Sequence, residues 1–203
     1  HYPLRRQRQM CIRDSLKEVM NTHGAVVFGG NGYSEEWHTM AVEERDLSNL
    51  RTTADALPVL KEQYIEDLFN TTGVLTPVEL ASRFEVYAEQ YIKSIDVEVK
   101  LVISIAKTLI YPAAVDYLAK LSSTIASLGS MGIDLDKSSA KTIAALTNTM
   151  ITAVDKLSSA HQKHDFASTE EEMQYYAQTL RPLMDEVRVS ADAIEAEVAD
   201  EFW

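Results

Sequence analysis

Thr76-Pro77-Val78-Glu79-Leu80 opens the stretch that decides the fold. Thr76 is placed to cap a helix, Pro77 suits the first helical position because its missing N–H needs no partner there, and Glu79 closes a capping box. From Leu80, apolar side chains recur at threes and fours through Phe84, Tyr87, Tyr91, Ile95, Val99, Val102, Ile105 and Leu109. The pattern resumes beyond Pro112 as Ala113, Tyr117, Leu121, Ile125 and Leu128. This spacing predicts one helix on the order of 50 residues, about 75 Å long at 1.5 Å per residue, kinked at Pro112.

Downstream, residues 129–136 read as a turn. Residues 139–163 read as a second long helix with Ile143, Leu146, Met150, Val154 and Leu157 inward. Ser168 and Glu171 repeat the capping-box spacing and open a last helix towards Asp200. Its inward set is Met173, Tyr176, Leu180, Leu183, Val187, Ala191, Ile194 and Val198, with a bend at Pro182. Short turns between long amphipathic helices make antiparallel neighbours, so the fold class is mainly α, an up-down bundle.

Upstream, the texture changes. A helix over residues 59–70 carries Leu60, Tyr64, Ile65, Leu68 and Phe69, and residues 46–58 are irregular and polar. Four of the seven glycines, Gly24, Gly29, Gly30 and Gly32, fall within nine residues. Residues 16–23 read as the end of a helix stopped by Gly24, and Ala25-Val26-Val27-Phe28 as a short strand or extended segment. Residues 29–33 form a loop, and Ser34 caps a helix that carries Trp37, Met40 and Ala41 and ends near Asp46. Residues 16–58 thus read as one part, of helix ends, an extended segment, a glycine-rich loop and a connecting stretch, and residues 59–203 as a helical domain.

The first 15 residues stand apart. Met10-Cys11-Ile12-Arg13-Asp14-Ser15 back-translates as ATG-TGT-ATA-AGA-GAC-AG, which resembles the transposase-end adapter of sequencing libraries. Residues 1–15 are therefore expected to be an assembly scar, to be set aside before any reading of the fold. They hold Arg5, Arg6, Arg8 and Arg13 against Asp14, so removing their net +3 from the whole-chain −12 leaves −15 on residues 16–203. A body this acidic repels phosphate backbones, so neither nucleic acid nor an anionic membrane is an expected partner. The single cysteine, Cys11, lies in that segment. The remainder supports no disulfide or thiolate metal site, which suits the cytoplasm. The richest apolar stretch, residues 97–110, is interrupted by Glu98, Lys100, Ser104 and Lys107, short of the roughly 20 residues that span a bilayer.

Each cluster that offers chemistry has a plainer reading. Gly29-Gly30-Asn31-Gly32 before a helix superficially matches a phosphate cradle. Its spacing fits neither the dinucleotide nor the P-loop fingerprint, and Glu35 and Glu36 place negative charge where a phosphate would sit. Glu35-x-x-His38 is a single copy of a motif that di-iron bundles need twice. His161 and His164, three apart near a helix end, lack a carboxylate or cysteine partner defined by spacing; there, side chains that lean cationic favour the helix dipole. His23 reads the same way. The tyrosines at helical spacing read as core rather than a stacking surface. No nucleophile–base arrangement can be assembled, so no catalytic, cofactor-binding or metal residue is assigned.

An ordered set of short motifs resembles type III glutamine synthetases, the large bacterial class. Asn31-Gly32-Tyr33-Ser34-Glu35-Glu36-Trp37 is similar to that family's Asn-x-Tyr-Ser-Glu-Glu-Trp. Thr53-Ala54-Asp55-Ala56-Leu57-Pro58 resembles its Thr-x-Asp-Ala-(Leu/Ile)-Pro. Residues 73–76 with 79–87 resemble Gly-Val-Leu-(Ser/Thr) and Glu-Leu-x-Ser-Arg-(Tyr/Phe)-Glu-(Ile/Val)-Tyr. Ala106-Lys107 through Ala113 resembles Ala-Lys-x-x-Ile-x-Pro-Ala, and residues 195–203 are like its Glu-x-x-Val-x-x-(Asp/Glu)-x-(Phe/Tyr)-Trp tail. An asparagine commonly stands in the family where this chain has Gly29. Residues 122–159 match in character only, and the chain stops before the family's Pro-rich ending.

The resemblance implies an enzyme that phosphorylates the glutamate side chain with ATP on Mg or Mn and lets ammonia displace phosphate. Its metal, nucleotide and glutamate ligands would lie upstream of Leu16, so no position here inherits a catalytic role and the fragment alone would be inactive. It also implies a homo-oligomer of stacked hexameric rings. Residues 16–58 would then be the C-terminal edge of an α+β catalytic domain and its connecting segment, with residues 29–37 packed against that domain, and residues 59–203 a helical scaffold joined to it. The competing expectation is a free-standing helical interaction or adaptor module with no activity.

Overall fold

The computed structural model describes the backbone of Tyr2–Trp203 and side chains from Met10 onward. It is helical, with no strand among the described residues. Two compact units appear, one ending at Arg51 and one of Thr52–Trp203.

The second unit is the bundle. After α1 (Tyr2–His23) and α2 (Glu35–Glu43) of the first unit, helix α3 (Thr53–Ala56) and a 3-10 turn (Leu57–Lys61) lead into α4 (Gln63–Thr71). Three long helical runs come next. The first joins α5 (Pro77–Ile105) through a π turn (Ala106–Ile110) to α6 (Tyr111–Ser130). The second is α7 (Ser138–His161), and the third joins α8 (Thr169–Tyr175) through a π turn (Tyr176–Leu180) to α9 (Arg181–Glu195). The predicted caps form. Thr76 Oγ1 accepts from the Glu79 N–H at 3.3 Å while the Glu79 carboxylate accepts from the Thr76 N–H at 2.8 Å, and Ser168 Oγ accepts from the Glu171 N–H at 3.1 Å. Gly73 (φ 68°) and Gly132 (φ 77°) take the left-handed conformation that closes the helices before them, with Val74 N–H on Phe69 O and Ile133 N–H on Leu128 O, both at 3.0 Å.

Both π turns end two residues before a proline. Pro112 and Pro182 lack an N–H, and in a regular α-helix the ring of each would press on the carbonyl four residues back. The wider turn relieves that conflict, so the kink expected at Pro112 and the bend at Pro182 are expressed as π turns. Ala114 is buried rather than the expected Ala113, and Met184 is buried while the expected Leu183 is only half-buried.

The core is one cluster. It joins Phe84, Ile92, Ile95 and Val99 of α5 to Ile143, Met150, Val154 and Leu157 of α7, and to Met173, Leu180, Val187 and Ile194 of the last run. Alanines at 0–1% exposure, Ala54, Ala88, Ala106 and Ala114, set the close approaches between elements. Ala54 brings α3 into this unit, and Gln174 Nε2 donates to its carbonyl at 2.8 Å. The connecting stretch after Thr52 therefore folds with the bundle, ahead of the boundary expected at residues 58/59.

Three expectations need correction. Helix 59–70 is split at Glu62, whose backbone is extended, and Tyr64 and Leu68 are exposed. Tyr87, Ile105 and Leu109, read as inward, are exposed, because the first run carries apolar side chains on two faces and the bundle fills only one. The other face presents Val97, Leu101, Ile105 and Leu109 as a row of fours. By length and composition, Pro77–Ser130 is also apolar enough to cross a membrane, and only 11% of its most apolar window is buried. The charges within residues 97–110 do not prevent this, because the continuous helix carries the apolar pattern on through α6.

Leu180→Ala should lower the unfolding free energy by about 2–5 kcal/mol, since it empties a fully enclosed site. Leu109→Ala on the open face should change it by no more than about 0.5 kcal/mol. Urea unfolding followed by circular dichroism checks both, and equal losses would contradict the open face assigned to Leu109.

Candidate functional site: a clamped glycine loop

The first unit is built from α1, which runs unbroken past Ser15, a 3-10 turn (Gly24–Val26) and α2. Gly24 is not the left-handed cap expected. The helix tightens through it, with Val27 N–H on Gly24 O at 3.0 Å, and Val27 then takes extended backbone. Of the two readings of residues 25–28, strand or extended segment, no strand forms among the described residues: Gly24–Val26 is a 3-10 turn and Val27 is extended without a paired backbone.

Arg45 organises the segment between α1 and α2. Its Nη1 donates to the carbonyls of Ala25 at 3.0 Å and Val27 at 2.6 Å, and Nη2 reaches Met40 Sδ at 3.3 Å. The guanidinium lies 5.0 Å from the centre of the Trp37 ring and 5.8 Å from that of Phe28, and the two rings stack at 4.3 Å. A planar fork that stacks and donates twice suits arginine rather than lysine. Arg45 itself is held by the end of α2, where Asp46 adopts φ 53° and Leu47 N–H returns to Ala41 O at 2.9 Å. Asp tolerates that left-handed conformation better than most residues.

The loop is closed by its own polar groups. Asn31 Oδ1 accepts from the Tyr33 N–H at 3.1 Å, Ser34 Oγ donates to Asn31 O at 2.8 Å, and Ser34 Oγ caps α2 by accepting from the Trp37 N–H at 3.4 Å. Glu35 and Glu36 occupy the first turn as expected. Glu35 and His38 of the Glu-x-x-His motif meet Arg51, whose Nη2 lies 3.4 Å from Glu35 Oε1 and 3.3 Å from His38 Nδ1. An arginine thus stands where a metal would be needed. Among the described residues no group of three His, Cys, Asp or Glu is placed to hold a metal ion.

In the bundle, His161 finds a partner that spacing could not reveal. Its Nε2 lies 2.7 Å from Asp96 Oδ1, with α5 supplying the carboxylate 65 residues away. His164 meets the His161 ring edge-on at 6.5 Å. Lys100 donates to the other Asp96 oxygen at 2.6 Å. Partial burial works to raise the Asp96 carboxyl, but the hydrogen bonds and charges of Lys100 and His161 outweigh it and hold it below the ordinary 3.8. This is a structural tie between α5 and the end of α7.

Residues 11–129 match the family described as the glutamine synthetase C-terminal domain. The chain belongs to this family. The match takes in the glycine loop and the long helix together, and begins within the segment expected to be a scar. Among curated proteins, the chain is 31% identical over 206 residues to the type-3 glutamine synthetase of Dictyostelium discoideum, covering 97% of this chain and 28% of that protein. It is 31% identical over 204 residues to a glutamine synthetase of Butyrivibrio fibrisolvens, covering 94% and 28%. To a glutamine synthetase of Bacteroides fragilis it is 26% identical over 200 residues, covering 93% and 27%. The chain thus spans little more than a quarter of the length of these glutamine synthetases.

Two outcomes are expected of this glutamine synthetase domain. Arg45→Lys should leave the bundle intact and raise amide exchange across residues 25–33 by about tenfold or more, read by hydrogen-exchange mass spectrometry. For Asp96, a carboxyl depressed by folding contributes stability above its unfolded value of 3.8 and loses it as pH falls through the lower folded value. Thermal unfolding from about pH 5 down to pH 2 should therefore be steeper in the natural chain than in Asp96→Asn. Parallel curves would mean the tie to His161 and Lys100 carries no weight.

Proposed function

We propose that this chain is the C-terminal part of a glutamate–ammonia ligase, an enzyme that uses ATP to activate the glutamate side chain and ammonia to displace the phosphate. The supporting observation is the family match across residues 11–129, together with relatives named as glutamine synthetases that are more than three times as long. In this reading the bundle is a helical scaffold within a cytoplasmic homo-oligomer of stacked rings. The first unit is the edge of the catalytic domain.

ATP and a divalent Mg or Mn belong to the whole enzyme, and the residues here do not fit them. The described residues form no metal cluster, and Glu35 and Glu36 set negative charge at the N-terminus of α2, where a phosphate would need a vacant donor site. Binding of both groups falls to residues outside this chain. What this chain contributes is position. Its bundle has a complete core of its own, whereas the first unit buries only Ala41 among its described side chains and leaves Leu16, Val19, Val26, Val27 and Tyr33 exposed. A segment that encloses so little needs a further surface to hold it.

The 203-residue chain alone should form no glutamine from glutamate, ATP and ammonia. A protein from the same source, extended upstream to the length of the relatives, should form glutamine with release of phosphate. Activity of the short chain, or inactivity of the purified extended protein with Mg or Mn, would remove this reading and favour a free-standing interaction module.

A further inference from the structure

We infer that the cleft where α8 meets α5 is a binding site for a small organic cation, a primary ammonium carried on a short aliphatic body. The cleft lies wholly within the second unit and has a volume of about 380 Å³. The inference does not depend on the ligase reading.

A hydroxyl without a partner carries it. Tyr176 is only 4% exposed and its ring belongs to the core, yet it lines the cleft and its hydroxyl makes no hydrogen bond among the described residues. Tyr91 is the residue whose unpartnered hydroxyl is fully enclosed; that of Tyr176 is not, so it opens to the cleft. Burial, with the nearby charges of Asp96 and Glu172, pushes this hydroxyl above its ordinary 10.0, so it keeps its proton. A buried hydroxyl left unmatched is costly, and an atom of this kind calls for a partner from outside the chain.

The walls show what that partner is. Glu89 is already held by Lys93 at 2.8 Å, and Asp96 gives one oxygen to Lys100 at 2.6 Å and the other to His161 at 2.7 Å. Glu172 and Thr169, half-buried on the facing wall, have no side-chain partner among the described residues. The Glu172 carboxylate, the Thr169 hydroxyl and the Tyr176 oxygen thus offer three acceptors in one cleft, which a primary ammonium with its three N–H donors can use together. Ile92 and the Tyr176 ring add an apolar wall for a short carbon chain.

Other ligands fit less well. Three carboxylates against the one ammonium of Lys93 repel an anion. A helix start ordinarily disfavours a cation, but Glu170, Glu171 and Glu172 fill this first turn with negative charge. Among the described residues no three His, Cys, Asp or Glu groups come close enough to hold a metal ion. A lone ammonium ion would leave most of the 380 Å³ to water.

Titration of the 203-residue chain with propylammonium chloride, followed by amide NMR, tests the site against potassium chloride at equal ionic strength. Propylammonium should shift the amides of residues 89–96 and 169–176, and potassium, ammonium and neutral propanol should not. Glu172→Gln and Tyr176→Phe should each weaken binding roughly tenfold, the loss of one hydrogen bond to a charge, with the melting temperature unchanged. Equal affinity in both variants, or shifts that potassium reproduces, would overturn the site. So would ammonium binding as tightly as propylammonium, which removes the need for a carbon chain, or Mg binding there at lower concentration, which makes it a metal site. Should Tyr176→Phe fail to fold, Glu172→Gln, on a half-buried side chain outside the core, decides alone.

Discussion

The missing N–H of two prolines sets how two of the three long helical runs stay continuous through a single core. Pro112 and Pro182 each fall two residues after a π turn, and each lies in a helical run that must continue because its apolar partners lie on both sides of the proline. Breaking the helix at either point would separate Val99 from Ala114, or Met173 from Ile194, and divide a single core in two. A wider turn keeps the axis running while sparing the carbonyl four residues back. The inward face of the last run carries on across its turn, with Tyr176, Leu180, Met184, Val187, Ala191 and Ile194 all buried. In the first run Ala114 is buried beyond the turn, and its small side chain lets the neighbouring helix approach closely.

These runs show both the accuracy and the limits of reading this fold from its residues. Threes and fours of apolar spacing identified the three long runs, and Thr76 with Glu79 and Ser168 with Glu171 marked where two of them begin. The same spacing placed Ala113 and Leu183 inward, one residue early in both cases, because a step of three or four between apolar side chains is open at each and favours the larger or nearer apolar residue. Val187, Ala191, Ile194 and Val198 were placed correctly. Exposure of Ile105 and Leu109 was invisible for another reason. A hydrophobic pattern states that a face is apolar and not whether a partner reaches it. The strand reading of residues 25–28 failed similarly, since an extended apolar run becomes a strand only when another backbone pairs with it.

At the candidate site, local chemistry was legible and long-range chemistry was not. Ser34, Glu35 and Glu36 were correctly placed at the start of α2. Arg45 was missed, although it does more than any other residue to fix the loop, because its partners are the carbonyls of Ala25 and Val27, about twenty positions back. Asp96 was missed for the same reason, 65 residues from His161. Main-chain acceptors and distant carboxylates leave no mark in spacing. The glycines do leave one. Their crowding between residues 24 and 32 was evident from the sequence, and only the structure separates Gly30, which the Phe28 ring requires, from Gly29 and Gly32, which no neighbouring atom requires.

Charge and burial divide the labour between the two units. Residues 1–51 hold seven acidic and seven basic side chains, so the whole net charge of −12 belongs to Thr52–Trp203. An acidic bundle with a closed core is suited to remain apart from its own kind, because like-charged surfaces repel at short range. A neutral unit with one buried side chain among those described has the opposite character, since its exposed valines, leucines and Tyr33 gain from being covered and no net charge opposes it. Association of this chain with a larger protein is therefore expected to begin at the first unit. On the bundle, the row of Val97, Leu101, Ile105 and Leu109 is also apolar and exposed, and it lies on the same helical run whose other face completes the core. A helix used on both faces is stable without a partner and still able to accept one, which is the physical requirement for a scaffold element in a larger assembly.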